Sequence, residues 1–128
     1  MAKRVKEKGI ELDLLLSSPA RRAKKTAKYF AEEFEFKKDD IQLIEGLYGA
    51  SDSEFLEAIK NISDKYNTVA LFSHNPGITG FASSLTNVRV DDMPTCAIFA
   101  LQVEIDSWKD FMNAEKKFLF FDYPKKED

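Results

Sequence analysis

Apolar residues in this chain form short continuous runs separated by stretches with helical spacing. Residues 12–16, 41–44 and 68–73 are runs of the length and composition typical of buried strands. Between the runs, apolar residues recur every three or four positions, as on the buried face of an amphipathic helix. The pattern predicts repeated strand–helix units, and therefore an α/β fold.

The three predicted helices that follow these strands have recognisable start signals. Ser18 can cap a helix with Pro19 at its first position, and Ser51 with Glu54 has the spacing of a capping box. Either His74 or Asn75 can cap the third helix. The apolar residues of each helix share one face. They are Ala23, Ala27, Phe30 and Phe34 in the first helix, Phe55, Leu56, Ile59 and Ile62 in the second, and Ile78, Phe81, Ala82 and Leu85 in the third.

The two ends of the chain depart from this repeat. After residue 86, CAIFALQVEI and KKFLFFDY predict two strands with no full helix between them, which favours antiparallel pairing. At the start, MAKRVKEKG predicts a helix that ends at Gly9 but has no capping residue before it. We interpret this segment as the end of a helix whose beginning precedes Met1, and the alternative is a short N-terminal helix.

Length, charge and cysteine content disfavour several classes of function. A length of 128 residues predicts one domain, spanning 1–128, and 19 Lys and Arg against 22 Asp and Glu disfavour nucleic acid or an anionic membrane as a partner. No apolar stretch approaches the roughly 20 residues of a membrane helix. The one cysteine, Cys96, excludes an intramolecular disulfide and a multi-cysteine metal site, so we expect a cytoplasmic protein.

The candidate chemistry lies where two predicted strands run into helices, at LLLSSPARR and LFSHNPG. If these strands are parallel, both helix N-termini meet at one sheet edge and favour an anion there. Arg22 can clamp two phosphoryl oxygens, and His74, the one histidine, can donate to, protonate or attack a phosphoryl group. Metal-free phosphoryl chemistry is one interpretation. The alternatives are a helix cap or a hydrogen-bonded, half-buried side chain for His74, a solvated basic face for Arg22, and either a general acid or a surface role for Glu45.

Two segments resemble motifs of a known family. SPARRAKKTA, residues 18–27, resembles the S-x-x-x-R-A-x-x-T-A segment of the histidine phosphatase superfamily, and SHNPG, residues 73–77, resembles its second histidine motif. With MPTCAIFALQVEIDSW and FLFFDYPKK included, the resemblance covers nearly the whole chain. The most similar branch is that of the small SixA-type phosphohistidine phosphatases.

The resemblance implies both a fold and a site. The fold is a phosphoglycerate mutase-like three-layer α/β/α sandwich around a mixed, mostly parallel sheet. The site surrounds a phosphoryl group with two Arg and two His, of which Arg22 and His74 match the second of each and act as catalytic residues. The implied substrate-binding residues are Ser18, Asn75 and Thr95, with Ala97 as the alternative to Thr95 at the pocket wall.

One departure from the family pattern stands out, because the chain contains no Arg-His motif and therefore no nucleophilic histidine. In the family this motif ends a central first strand, which would here precede Met1. A sheet that lacks this strand exposes one edge on residues 69–72 and another on AIFALQVE. We expect these edges to pair with each other, to be covered by a second molecule as in a homodimer, or to destabilise the chain.

The leading hypothesis is a SixA-like phosphohistidine phosphatase, or phosphomonoester hydrolase, that needs no cofactor and acts through a phosphohistidine intermediate in its full-length form. The expected partner is a phosphorylated substrate, either a phosphohistidine protein or a small phosphoester. The 128-residue chain is expected to be inactive or nearly so. The alternatives are a non-catalytic module that binds phosphate or a phosphoprotein, and an interaction domain in which the same residues are structural.

Overall fold

The computed structural model describes residues 1–75, 77–88, 93 and 97–124. Its helices are α1 (Ala2–Glu7), α2 (Arg21–Glu33), α3 (Asp52–Lys60) and α4 (Gly77–Leu85). Its strands are β1 (Leu14–Ser17), β2 (Gln42–Leu43), β3 (Val69–Phe72), β4 (Ile98–Val103) and β5 (Lys116–Asp122). Three 3-10 helices occupy Lys38–Asp40, Glu45–Leu47 and Trp108–Asn113. Each predicted strand and helix is thus present, with boundaries shifted by a few residues.

The described strands form two sheets. The first is parallel, in the order β2-β1-β3, and Leu16 of β1 lies opposite Gln42 on one side and Leu71 on the other. The second is an antiparallel pair of β4 and β5, as predicted, and an irregularity in its register leaves Leu119 without a partner in β4. The α/β class and the mostly parallel sheet are confirmed.

Helices cover both faces of the parallel sheet. Leu14 and Leu16 of β1 belong to a core shared with Phe55 of α3 and Phe81 of α4. On the opposite face, Phe72 of β3 packs with residues of α1 and α2. Alternate residues of the strands point to opposite faces, so the sheet is the middle of three layers. This arrangement matches the implied α/β/α sandwich.

Most predicted helix signals are confirmed. Ser51 and Glu54 form the capping box of α3, and the backbone N–H of Ser51 donates to the Glu54 carboxylate over 3.1 Å. Gly9, with φ +82°, follows the last residues of α1 and donates its N–H to the Lys6 carbonyl over 3.0 Å. As predicted, α1 has no side-chain cap at its start. No helix among the described residues has the length and hydropathy needed to cross a membrane.

The predicted start of α2 is wrong by two residues. Pro19 is not its first residue, since the helix begins at Arg21. The physical reason is that Ser18, the residue directly after β1, is still bonded to the neighbouring strand, because its N–H donates to the Phe72 carbonyl over 2.9 Å. Its hydroxyl instead accepts the N–H of Ala20 over 3.1 Å, which forms a turn ahead of the helix.

The edges of β3 and β4 do not pair with each other in the described part of the chain. The two strands nevertheless contribute to the same cores: Phe72 and Ile98 on one face, and Leu71 and Leu101 on the other. Of the three outcomes expected for these edges, direct pairing is therefore not observed. Coverage by a second molecule and reduced stability stay predictions.

Candidate functional site

The candidate site lies at the carboxyl-terminal edge of the parallel sheet. Ser18 directly follows β1, whereas His74 and Glu45 each lie two residues past the end of their strand, β3 and β2 respectively. Hydrogen bonds hold these ends side by side, because Phe72 accepts from Ser18 and the Ser17 carbonyl accepts the Ile44 N–H over 2.9 Å. Parallel strands deliver their following loops to one edge, which is where ligands bind in open α/β sheets.

Ser18 is fully buried, and its side chain already has a structural partner. The hydroxyl oxygen accepts the Ala20 N–H, and the neighbouring Ser17 hydroxyl donates to the Ser18 carbonyl over 2.8 Å. These bonds fix the turn between β1 and α2, and they therefore fix where α2 begins. Ser18 positions the helix, and its role as a substrate-binding residue stays a prediction.

Arg22 is the second residue of α2 and is exposed to solvent. Its carbonyl accepts the Thr26 hydroxyl over 3.1 Å, a bond within the helix that leaves the guanidinium uninvolved. No carboxylate among the described residues forms an ion pair with this guanidinium. Arg22 is thus a cation near the N-terminus of a helix, where backbone N–H groups also favour an anion.

His74 shows the most unusual environment of the predicted site residues. The side chain is half-buried, and its Nδ1 is a buried polar atom with no hydrogen-bond partner among the described residues. Its carbonyl accepts the Ile78 N–H over 3.2 Å, so its backbone opens α4. The His74 carbonyl thus contributes to the start of α4, whereas its Nδ1 has no partner in the described part of the chain, and its role at a phosphoryl site stays a prediction. A buried group without a partner is costly, and a ligand can satisfy it.

The Asn75 side chain is part of a small polar network. Its amide nitrogen donates to the Met93 carbonyl over 2.8 Å, and its amide oxygen accepts the Thr79 hydroxyl. The network closes because the Met93 N–H donates to the Thr79 hydroxyl oxygen over 3.1 Å. It anchors the buried Met93 beside the loop that carries His74. The sequence analysis missed Thr79 and Met93, because 14 residues separate them along the chain.

Tyr48 is the other residue of this edge that the sequence analysis missed. Its ring packs edge-on against the His74 ring, with 5.6 Å between the centroids and 61° between the planes. The available signal was the loop GLYGA, in which the pair Leu47-Tyr48 stands between two glycines. That pattern predicts a turn and does not reveal which ring the tyrosine contacts.

The remaining predicted site residues are less informative. Glu45 is exposed in the 3-10 helix Glu45–Leu47, and its carbonyl accepts the Tyr48 N–H over 3.1 Å. Thr95 lies outside the described residues, whereas Ala97 packs in a small core with Met93. Within the described ranges, no group of three or more His, Cys, Asp or Glu side chains is arranged so that it could hold a metal ion.

Comparison with known proteins shows which solved structures share this fold. No family model and no curated protein matches the chain. Among solved structures, the candidate phosphohistidine phosphatase SixA of Nakamurella multipartitia superposes with a TM-score of 0.74 at 14% identity, over 98% of this chain and 78% of its own. The chain has the SixA fold.

Two further structures with the SixA fold agree with this match. The candidate phosphohistidine phosphatase SixA of Agrobacterium tumefaciens has a TM-score of 0.76 at 21% identity, over 96% of this chain and 75% of its own. A protein histidine phosphatase SixA complexed with tungstate has a TM-score of 0.70 at 19% identity, over 94% of this chain and 74% of its own. The expected fold class is therefore confirmed, and about a quarter of each SixA chain has no counterpart here.

Proposed function

We propose that this chain forms the larger part of a SixA-like phosphatase site, which removes a phosphoryl group from histidine or from a phosphomonoester. The observation that carries the proposal is the imidazole of His74 at the sheet edge, whose buried Nδ1 has no partner among the residues that the structure describes. Arg22, in the first turn of α2, supplies positive charge beside that edge. Together these groups bind the phosphoryl oxygens and stabilise the charge that develops during transfer.

The proposed reaction needs a second histidine, and the 128 residues contain one. We assign the nucleophile to an Arg-His segment that is additional to these residues and pairs with the open edges of β3 and β4. Its imidazole attacks phosphorus, the bond to the leaving group breaks, and water then cleaves the phosphorus–nitrogen bond and releases phosphate. In this proposal His74 and Arg22 stabilise the phosphoryl group during its transfer, and neither side chain forms a covalent bond to phosphorus.

Glu45 is the candidate general acid of this reaction. Its position after β2 places it at the same sheet edge as His74. An alkoxide leaving group needs a proton, which Glu45 would supply, whereas the imidazole of phosphohistidine leaves more readily. The proposed site needs no metal or cofactor, since its cations are side chains. The formal charge of −3 and the one cysteine favour a cytoplasmic protein with no nucleic acid or membrane partner.

The open strand edges have a further consequence for assembly. Two copies of the chain can cover each other's β3 or β4 edge, which gives a homodimer in the absence of the additional strand. Light scattering behind size-exclusion chromatography measures this directly. A dimer is expected at micromolar concentration, and a monomer under the same conditions would contradict this part of the proposal.

The first test is phosphate binding, measured as thermal stabilisation of the chain by inorganic phosphate. A ligand at 100 times its dissociation constant raises the unfolding free energy by about 2.7 kcal/mol. Stabilisation is expected for the unmodified chain and for Arg21→Ala, which removes an exposed arginine next to the site residue. Arg22→Ala and His74→Ala should lose it. Equal stabilisation of all four proteins would contradict the assigned site.

The second test is turnover of p-nitrophenyl phosphate. The 128-residue chain should show little or none, because removal of a covalent nucleophile eliminates the main reaction path. Addition of an Arg-His segment ahead of residue 1 should restore turnover. Phosphate binding without turnover even then would favour the alternative, a non-catalytic module for phosphate or a phosphoprotein. Substantial turnover by the unextended chain that His74→Ala abolishes would make His74 itself the nucleophile.

A further inference from the structure

The loop between β2 and α3 is fixed against the loop that carries His74. The Ser73 hydroxyl donates to the Leu47 carbonyl over 3.2 Å. Further along the first loop, the Ala50 carbonyl lies close to Gly77. A β-carbon at position 77 would be only 2.5 Å from the Ala50 carbonyl oxygen. These two contacts lie on either side of Tyr48 in the sequence, so they limit the movement of its backbone.

Burial changes abruptly along this loop. Leu47 is fully buried and Ala50 is 6% exposed, whereas the Tyr48 side chain between them is 65% exposed. Gly49, with φ +65°, adopts the left-handed conformation that turns the chain after Tyr48. A large aromatic ring is therefore held in solvent by two buried neighbours, although burial of the ring would be more stable.

The exposed ring lies directly beside the proposed phosphoryl site. Its edge-on contact with the His74 ring uses one part of the aromatic surface and leaves most of the ring accessible. The leaving group of a substrate whose phosphoryl group binds near His74 would meet this surface. Planar aromatic groups gain more from such a contact than flexible aliphatic groups, since ring–ring packing is favourable beyond its area.

We infer that Tyr48 is a specificity-determining residue, which packs against the planar leaving group of the substrate and favours phosphohistidine and aryl phosphates over aliphatic phosphoesters. This inference rests on the proposed function, because it assumes that the phosphoryl group binds at His74. Tyr48 contacts the leaving group in this arrangement and takes no part in binding the phosphoryl oxygens. It should consequently affect the affinity for esters without affecting the affinity for inorganic phosphate.

The test uses the fact that the chain has one histidine, so its imidazole NMR signals report one site. Inorganic phosphate, phenyl phosphate and ethyl phosphate are titrated in turn, and the dissociation constants are read from the His74 signals. The unmodified chain should bind phenyl phosphate about three- to tenfold more tightly than ethyl phosphate, as expected for one aromatic contact. Tyr48→Phe should keep this ratio, and Tyr48→Leu should reduce it to about one.

Tyr29→Leu is the matched control. Tyr29 is 54% exposed on α2 and lies beside α1, in a recess lined by Met1, Ala2 and Lys3. Its removal should leave the ratio unchanged. Both tyrosines are exposed, so neither substitution should unfold the chain.

The outcomes separate the two proposals. Failure of the unmodified chain to bind any of the three ligands would overturn the proposed function. Binding with equal affinity for the two esters, or an unchanged preference in Tyr48→Leu, would overturn the role of Tyr48 alone. A loss of inorganic phosphate binding in Tyr48→Leu would show instead that Tyr48 supports the phosphoryl site as a whole, and it would also overturn the inference.

Discussion

Strands β1 and β3 have similar sequences, LLLS and VALF, and they pair with each other along their full length. All four residues of β1 are buried, whereas all four of β3 are only half-buried. Residues of β3 contribute to apolar cores on both of its faces, Val69 and Leu71 on one and Phe72 on the other. The strands also differ at their edges. Among the described strands, β1 has a neighbour on each side, whereas β3 has one on a single side.

Contacts at both of its ends hold β3 in place, although only one described strand pairs with it. At its start, the Asp13 carboxylate accepts the N–H groups of Asn67 and Thr68 over 2.9 and 3.0 Å. At its end, the Ser73 hydroxyl and the close approach of Gly77 to Ala50 fix the following loop. Contacts at the two ends of β3 thus hold it in register, while no other described strand pairs with its outer edge.

The largest effect is expected from a matched pair of substitutions, Leu16→Ala and Leu71→Ala. The two leucines lie opposite each other in the parallel register and contribute to the same core, but Leu16 is 2% exposed and Leu71 is half-buried. Leu16→Ala should reduce the free energy of unfolding by about 3–4 kcal/mol, and Leu71→Ala by about half as much. Urea denaturation measures both. Equal losses would indicate that the β3 edge is covered in solution.

The next effect concerns the contact at the end of β3. Gly77→Ala should cost about 1–3 kcal/mol of unfolding free energy, because the new methyl group would overlap the Ala50 carbonyl. Gly80→Ala in the same helix is the control. It has open space around it and should stabilise the chain by about 0.5–1 kcal/mol through its helix propensity. A stabilising Gly77→Ala would show that this contact does not hold the loop.

A smaller effect is expected at the start of β3. Asp13→Ala removes the acceptor for two backbone N–H groups, and the loss should be about 1–2 kcal/mol, since both groups are near solvent. Glu11→Ala, which removes an exposed carboxylate two residues away, should change stability by less than about 0.5 kcal/mol. Thermal unfolding of the two variants side by side checks this. Equal effects would assign the loss to charge alone.

The elements that local sequence determines were predictable. The capping box of Ser51 and Glu54 and the glycine that ends α1 depend on neighbours within a few residues, and both are present as predicted. The position of His74 at the sheet edge followed from the apolar run before it. The start of α2 was not predictable from local sequence. It depends on the hydrogen bond between Ser18 and Phe72, which are far apart in the chain.

The contacts that define the surroundings of His74 were not predictable, because they join residues far apart in the chain. The ring of Tyr48 reaches His74 across 26 positions of sequence, and the Asn75 amide reaches Met93 across 18. No spacing rule covers such pairs. The unpaired Nδ1 of His74 is likewise a property of the packed structure, since it depends on every neighbour of the ring.

The most direct examination of the open edge needs no substitution. The Phe72 carbonyl accepts the Ser18 N–H and therefore points toward β1. The N–H and C=O groups of successive strand residues point alternately to the two sides of the strand. The amides of Ala70 and Phe72 thus face β1, while those of Val69 and Leu71 face outward. Native-state hydrogen exchange should therefore alternate along β3. The outward amides should exchange at least about tenfold faster, because no strand protects them. Uniform protection would mean that a second molecule pairs with β3, and in that case dilution should restore the alternation.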